Sequence, residues 1–343
     1  SSIYVLATRL QSLSSTTAWT REEWHPDGDS RRTQTFGIQG YVRQLSNLPS
    51  AEEQVYPNAQ QGFLAGFYYS ALSLGPWEAS MGLRDEVGTY SVWSGLARLA
   101  FQVSESSHGQ LRMSRGSRAP QLEERFANGS HIGAARLELG DSTLGPEKVW
   151  NWDAQWHFEG PLGDFQVGSF FQSYEDFIAL NPMRVGDQWI FQYGSGPAQL
   201  YGSEAAWHLH QGPWHATLMY AGVVGQRPDG ESLPGIAPNK WGATLNYHRA
   251  ATKHPLHASL VTEYYQGKSS LSSSEQAYWN TSELPGFLLV HAQLTYTIRP
   301  GMRMELSVDN ATNAAYAHPL SLAQQVGVLE PGRQVRLTLT YQW

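Results

Sequence analysis

The sequence predicts an all-β fold, a transmembrane antiparallel β-barrel with about 16 strands in this chain. Three observations predict it. Apolar and polar residues alternate with a period of two along many segments, which is the pattern of a strand that separates two environments. Aromatic residues make up 12% of the chain, with 13 Trp and 17 Tyr, and this matches the aromatic girdles of a membrane barrel. Short connections also alternate with long polar ones.

The period of two marks the strands in chain order. One face of each segment is apolar and aromatic and the other is polar, as a wall between lipid and water requires. Residues 1–45 show the weakest alternation. The apolar faces are Trp77, Ala79, Met81 and Leu83; Trp150, Trp152, Ala154, Trp156 and Phe158; Trp241, Ala243, Leu245 and Tyr247; Leu288, Val290, Ala292, Leu294, Tyr296 and Ile298; Met302, Met304, Leu306 and Val308; and Val335, Leu337, Leu339, Tyr341 and Trp343.

The connections between these segments give the barrel its direction. Membrane barrels of bacteria have short turns on the periplasmic side and longer loops on the extracellular side. We therefore place the carboxy terminus on the periplasmic side and treat residues 1–343 as one barrel segment. The predicted short connections are 75–76, 159–163, 211–213, 251–255 and 299–301. The predicted long ones are 46–60, 119–146, 227–238, 268–285 and 311–333.

Composition and motif searches exclude several other classes of protein. No stretch approaches the ~18–20 apolar residues of a membrane-spanning helix. The chain has no cysteine, which excludes disulfide frameworks and thiolate metal sites. The net charge of −7 argues against nucleic-acid binding, because a phosphate backbone attracts cationic surfaces. Nucleotide-binding glycine loops, paired catalytic acids and a nucleophile elbow are not found, so no enzyme is predicted.

Two groups of motifs resemble the same family. The first is RGSRAPQLEERF at 115–126, followed by NGSH at 128–131, ELGD at 138–141 and LGPEK at 144–148. The second is VDNATNAAY at 308–316, followed by a PGR motif and a terminal aromatic residue. In this order they resemble TonB-dependent outer-membrane receptors, and most closely those for zinc, copper and related metals. The motif residues are Arg118, Ala119, Pro120, Glu123, Pro331, Gly332, Arg333 and Trp343.

The resemblance implies outer-membrane uptake of a metal ion or metal chelate in a Gram-negative bacterium, with this chain forming much of the barrel wall. It implies contact with membrane lipid and lipopolysaccharide, a plug-bearing amino-terminal portion or second chain, and the TonB complex acting through that plug. No cofactor is required beyond the transported metal. Such receptors have about 22 strands around a plug, whereas this chain shows no plug domain and no TonB box.

Several alternatives remain open at this stage. The chain is a piece of a longer receptor, one half of a split receptor, or a smaller barrel that closes without a plug. Its ligand class includes a siderophore, cobalamin or an organic nutrient besides a metal. A plugless barrel would instead be a structural subunit of a larger outer-membrane assembly, and a soluble all-β binding protein would need no detergent.

The long connection 119–146 contains the predicted site of ligand capture. Its carboxylates and imidazole suit a borderline divalent cation such as zinc, without any thiolate. The resemblance makes His131 the residue expected to bind the metal. The competing interpretation is a solvated loop histidine without a specific role. The predicted ligand-binding residues are His131, Glu123, Glu124 and Asp141.

Strand parity predicts which polar residues face the lumen. Neighbouring strands lie ~4.8 Å apart, so imidazoles at matching positions on them would share a metal or a proton. The simpler interpretation is that histidine is polar and therefore faces the water-filled lumen. Inward arginines would contact the plug or guide an anionic chelate, and plug contact is favoured because buried charges are normally paired. The lumen-facing predictions are His157, His208, His210, His215, His248, His257, His291, Arg84, Arg98, Arg112 and Arg118.

Overall fold

A computed structural model describes residues 8–24, 30–48, 56–131, 136–250, 254–318 and 328–342. Strands make up almost all of it, with two short helices, α1 Leu122–Phe126 and α2 Ser273–Trp279. The strands are β1 Thr8–Trp24, β2 Ser30–Asn47, β3 Ala59–Leu74, β4 Trp77–Gly88, β5 Val92–Ser104, β6 Ser107–Arg118, β7 Asn128–His131, β8 Arg136–Leu139, β9 Glu147–Gly160, β10 Gly163–Val185, β11 Gln188–Gln211, β12 Trp214–Gln226, β13 Lys240–Arg249, β14 Leu256–Tyr265, β15 Phe287–Arg299, β16 Met302–Asp309 and β17 Gln334–Tyr341.

These strands form one 17-stranded sheet, which confirms the predicted antiparallel barrel of about 16 strands. Each wall strand pairs antiparallel with the next one along the chain, and β6 pairs with β9 across the insertion that carries β7 and β8. β7 and β8 pair with each other outside the wall. In the described residues β1 pairs with β2 and β17 with β16, so the barrel is only partly closed.

The apolar faces predicted from the alternation are exposed on the outside of the barrel. Trp77 is 50% exposed, Trp241 52% and Leu111 52%, values that a soluble protein would not leave in water along a continuous band. The band of exposed Trp, Phe and Leu side chains runs from β1 to β17. The exterior therefore matches a hydrocarbon environment, as the period of two predicts.

The short turns lie at the predicted end of the barrel. Gly75-Pro76 joins β3 to β4 and Gly212-Pro213 joins β11 to β12. Their glycines have φ of 55° and 57°, the left-handed region that two-residue hairpin turns use and that residues with a Cβ disfavour. This Gly-Pro sequence therefore fixes both turn and register.

The opposite end carries the longer connections, with two exceptions. β4 and β5 are joined by residues 89–91 only, and β10 and β11 by Gly186-Asp187. Because a membrane strand needs ~9–11 residues, the outer halves of the 23-residue β10 and 24-residue β11 extend beyond the membrane. This projecting hairpin was not predicted from the sequence, and the segments that contain α1, β7, β8 and α2 were predicted as loops.

The buried apolar residues lie mostly at this loop end, where connections pack on the projecting hairpin. They include Leu122, Leu144, Leu233, Leu271 and Phe191, each less than a tenth exposed. β8 pairs in parallel with β11 at Ile190–Gln192. No helix among the described residues has the length and apolar content of a membrane span.

Candidate functional site

The inside of the barrel holds a cavity of about 1180 Å³. It is bounded by strands from β3 round to β13, so that their polar faces meet across one space. Its lining includes both charged and neutral polar side chains, in contrast to the apolar exterior. The polar lining residues are Ser73, Glu78, Arg98, Gln102, His108, Gln110, Gln155, His157, Gln166, Glu204, His208, Thr217 and Lys240.

A ladder of polar contacts crosses this lining from β4 to β9. Arg98 Nη1 lies 2.5 Å from Glu78 Oε1, and its Nε donates to Gln110 Oε1 at 2.6 Å. Gln110 in turn donates to Gln155. Regular strand spacing places these side chains on one face at neighbouring ladder positions, so the ladder follows directly from the register.

The other predicted inward arginines also have carboxylate partners within the chain. Arg84 donates to Glu86 Oε2 at 2.9 Å, and Arg112 Nε donates to Asp153 Oδ2 at 2.9 Å. The four arginines lie on the consecutive strands β4, β5 and β6, and Arg112 and Arg118 share β6. Their contact with a plug stays a prediction.

Arg118 joins the wall to the predicted capture loop. Its guanidinium donates two hydrogen bonds to Glu124, at 2.9 and 3.0 Å, and two weaker ones to Glu147 at the start of β9. Glu147 also accepts from the backbone N–H of Ile178, at 2.9 Å. One cation therefore ties β6, α1, β9 and β10 together, with a bidentate geometry that only arginine provides.

Two of the three predicted loop carboxylates, Glu123 and Glu124, accept hydrogen bonds that stabilise the fold of this segment. Glu123 accepts from Arg43 Nη2 at 2.8 Å, and Glu124 Oε2 accepts from the backbone N–H of Gln121 at 2.7 Å, as part of a capping box. The family-motif residue Pro120 and its neighbour Leu122 are fully buried beneath them. Both carboxylates are thus already engaged by donors from this chain.

Asp141 and His131 lie at opposite ends of the β7–β8 pair. Asp141 Oδ1 accepts from the backbone N–H and hydroxyl of Thr143, at 2.8 and 2.5 Å, and these hydrogen bonds lower the pKa of the Asp141 carboxyl. The backbone of His131 ends β7 opposite Arg136; its side chain lies outside the described residues. Where side chains are described, no three His, Asp or Glu groups converge as a metal site, so metal binding by His131 stays a prediction.

The 119–146 segment also contains a buried carboxylate. Glu138 on β8 is 4% exposed. Burial, together with the charges of Glu138 and Glu123, raises the pKa of the Tyr56 hydroxyl. Tyr56 belongs to the connection between β2 and β3, so this connection lies close to the 119–146 segment at the loop end.

The structure arranges six of the lumenal histidines as directly opposed cross-strand pairs. His108 opposes His157, His210 opposes His215, and His248 opposes His257. Ring centroids within the pairs are 4.7, 5.1 and 6.0 Å apart. His108 was missed by the sequence analysis, although the alternation of Leu111 and Met113 along β6 assigns it to the lumen.

The remaining predicted lumenal histidines have other partners. His208 Nδ1 lies 3.1 Å from the Thr217 hydroxyl, and its Nε2 lies 3.5 Å from Gln166. His291 Nδ1 lies 3.2 Å from Asp309 Oδ1, near the loop end of β15. Neither His208 nor His291 therefore opposes another histidine, and His291 lies away from the short-turn end.

The carboxy-terminal motifs interlock at the loop end of β16 and β17. Asn310 Nδ2 donates to the carbonyls of Ala314 and Pro331, at 2.9 and 3.3 Å. Arg333 donates its backbone N–H to Asn313 Oδ1 at 2.9 Å. Asn310 and Asn313 both have positive φ, 47° and 55°, which asparagine tolerates better than most residues. Trp343 lies outside the described residues.

A family model described as "TonB dependent receptor-like, beta-barrel" matches residues 4–311. The chain belongs to this family. Membership in this family accounts for the two groups of sequence motifs, the apolar exterior and the polar lumen. No curated protein matches the chain by sequence.

Solved structures agree on the fold of this TonB-dependent receptor chain. The siderophore receptor PirA from Acinetobacter baumannii superposes with a TM-score of 0.75 and 14% identity, covering 97% of this chain and 55% of that one. The copper transporter OprC gives 0.75 and 15%, covering 97% and 57%. The FrpB iron transporter from Neisseria meningitidis gives 0.69 and 16%, covering 97% and 55%. The chain thus spans little more than half of their length.

Proposed function

We propose that this chain forms much of the barrel wall of a TonB-energised receptor that takes up a metal ion or metal chelate through the outer membrane of a Gram-negative bacterium. The observation that carries the proposal is the two-sided wall of a TonB-dependent receptor barrel: an exposed apolar band outside, and a charge-paired polar lumen inside. Such a wall separates hydrocarbon from an aqueous path.

The ligand class rests on two supports. The similar structures are named for a siderophore receptor, a copper transporter and an iron transporter, all of which handle metals. In this chain, imidazoles and carboxylates without any thiol line the lumen and the capture loop, and such groups suit borderline cations and their complexes.

The proposal includes the partners that complete such a receptor. The plug comes from an amino-terminal portion or a second chain, and TonB acts on the barrel through that plug. Arg98 of β5 lines the lumenal cavity, on the side of the wall that a plug would face. Membrane lipid and lipopolysaccharide contact the aromatic exterior.

The test is uptake by cells. The full protein that contains this chain is produced in a Gram-negative host lacking its own metal receptors, with and without functional TonB. Accumulation of radioactive zinc, copper and ferric siderophore is then measured. We expect at least one of the three to accumulate only when both the protein and TonB are present.

The controls separate the alternatives. Detection of the protein in the outer-membrane fraction shows that the barrel is inserted. An inserted protein that accumulates none of the three ligands, with or without TonB, contradicts metal uptake. Accumulation of cobalamin or an organic nutrient would redirect the proposal to that class, and accumulation independent of TonB would contradict the energised receptor.

A further inference from the structure

The three opposed histidine pairs share one end of the lumen. His210 and His215 flank the Gly212-Pro213 turn, His248 and His257 stand next to the β13–β14 connection, and His108 lies one residue into β6. In spatial order the strands are β6, β9, β10, β11, β12, β13 and β14, and each except β10 contributes a paired histidine. A row of imidazoles therefore follows the short-turn rim for about half of the described wall.

The polarity of the lumen explains why histidines are inside, but not why they oppose each other. In the pair on β11 and β12, His210 Nδ1 lies 2.9 Å from His215 Nδ1. Only one of these nitrogens can carry the shared proton, and two charged imidazoles at this distance would repel. A bridging cation instead satisfies both lone pairs at once.

The geometry of this pair fits a borderline divalent ion. Two imidazole nitrogens bound at about 2.0–2.1 Å in a tetrahedral site lie about 3.3 Å apart, so a small rotation of either ring opens the 2.9 Å contact enough. His210 Nε2 also lies 3.9 Å from Asp164 Oδ2, and a carboxylate next to a ligating imidazole increases its basicity. His210 and Asp164 are each about half exposed to the lumen, so water can complete the coordination.

We propose that the pairs His108–His157, His210–His215 and His248–His257 are three two-histidine sites for a borderline divalent transition metal such as Cu²⁺ or Zn²⁺, arranged as an exchange row at the short-turn rim of the lumen. Each site supplies two protein ligands, and the described residues offer no third one to complete a closed site. Binding is therefore weak and exchange is rapid. A path that must release its ion needs sites of this kind, because tight sites would retain it.

This inference deepens the proposed uptake function and rests on it only for the role in passage; the binding itself is tested separately. The full protein in detergent is titrated with Cu²⁺ alone. Bound copper is counted after rapid desalting at graded free Cu²⁺, and electron paramagnetic resonance reports the nitrogen ligands. We expect His210→Gln to weaken one class of sites roughly tenfold or more and to remove a two-nitrogen signal.

The pairing makes a prediction that independent imidazoles do not. His215→Gln should remove the same site as His210→Gln, and the double variant should lose no more than either single variant. His208→Gln is the matched control, because His208 faces the same lumen on the same strand but opposes Thr217. It should leave the number of copper sites unchanged.

The second pair protects the test against a variant that fails to fold. His248→Gln and His257→Gln repeat the comparison on β13 and β14, and heat-modifiable migration in gels identifies folded barrels. Three outcomes would each overturn the proposal. The first is a loss of copper binding in the double variant equal to the sum of the two single losses; the second is unchanged copper binding in both single variants of both pairs. The third is an equal loss of copper binding in His208→Gln. If the protein binds copper at the pairs but takes up no metal, the uptake function is contradicted and the proposed binding sites are still supported.

Discussion

At the scale of single residues, Arg118 is where the wall and the capture loop depend on one side chain. It neutralises Glu124 and Glu147, each only 12% exposed. Removing the cation leaves two neighbouring carboxylates with only their backbone N–H donors, and like charges close together repel. Arg118 itself is 39% exposed, so water recovers part of that loss.

We therefore expect Arg118→Gln to destabilise the 119–146 segment by about 1–2 kcal/mol while the wall remains folded. Hydrogen–deuterium exchange should show faster exchange in α1, β7 and β8. Arg184→Gln is the matched control, since Arg184 pairs with the fully exposed Asp187 at the hairpin tip and such pairs contribute little. Equal protection in both variants would mean that Arg118 does not hold the loop.

The odd or even position of a residue along a strand predicts which side of the wall it faces, but not which side chain it contacts. The alternation assigns Arg98, His208 and His210 to one face because a strand repeats every two residues. The pair Arg43–Glu123 joins residues 80 positions apart, and the histidine pairs depend on register, which no local pattern supplies. The acids of the capture loop were therefore predicted as ligands, whereas the fold engages Glu123 and Glu124 with arginines.

At the scale of elements, the projecting β10–β11 hairpin organises the loop end. α2 packs against it through Tyr278, whose ring meets Trp189 and Phe191 edge-on at centroid distances of 5.2 and 5.1 Å. β8 extends its sheet along β11. Two connections that are far apart in sequence thus rest on one hairpin.

Truncation of this contact should release α2 selectively. We expect Tyr278→Ala to cost about 1–3 kcal/mol, because two edge-to-face aromatic contacts and partly buried area are lost. Limited proteolysis should then cut within 266–286 earlier than in the parent protein, while β10 and β11 stay intact. Ala277→Ser, an exposed change in the same helix, is the control, and similar cleavage of both variants would contradict the anchoring role.

Elements were predictable where the cause is local. The turn Gly75-Pro76 and the strand that it begins can be read from neighbouring residues, since the turn chemistry and the alternation agree. β10 and β11 continue past the membrane because α2 and β8 cover their outer halves, and this cover comes from distant segments. For the same reason α1 and β7 were described only as parts of a loop.

At the scale of the whole molecule, the fold depends more on the contrast between an apolar exterior and a polar lumen than on any buried core. Adjacent residues of one strand face opposite environments, so the same introduced side chain should destabilise the barrel to very different degrees at neighbouring positions. Leu99 and Ala100 of β5 provide this comparison. Leu99 is 39% exposed on the apolar exterior, whereas Ala100 lines the cavity and lies opposite Glu78 of β4.

We expect Leu99→Arg to destabilise the barrel by about 2–4 kcal/mol, because a charge placed near the middle of a bilayer loses its hydration. Ala100→Arg should cost less than about 1 kcal/mol, since its guanidinium stays in the wet lumen beside a carboxylate. The measurement is urea unfolding of the full protein in phospholipid vesicles, followed by tryptophan fluorescence. Both variants introduce the same side chain into the same strand, so the strand propensity of the incoming residue is the same in both. A larger loss for Ala100→Arg, or equal losses in vesicles, would show that the aromatic band does not face lipid, and the receptor function proposed for this wall would fail with it.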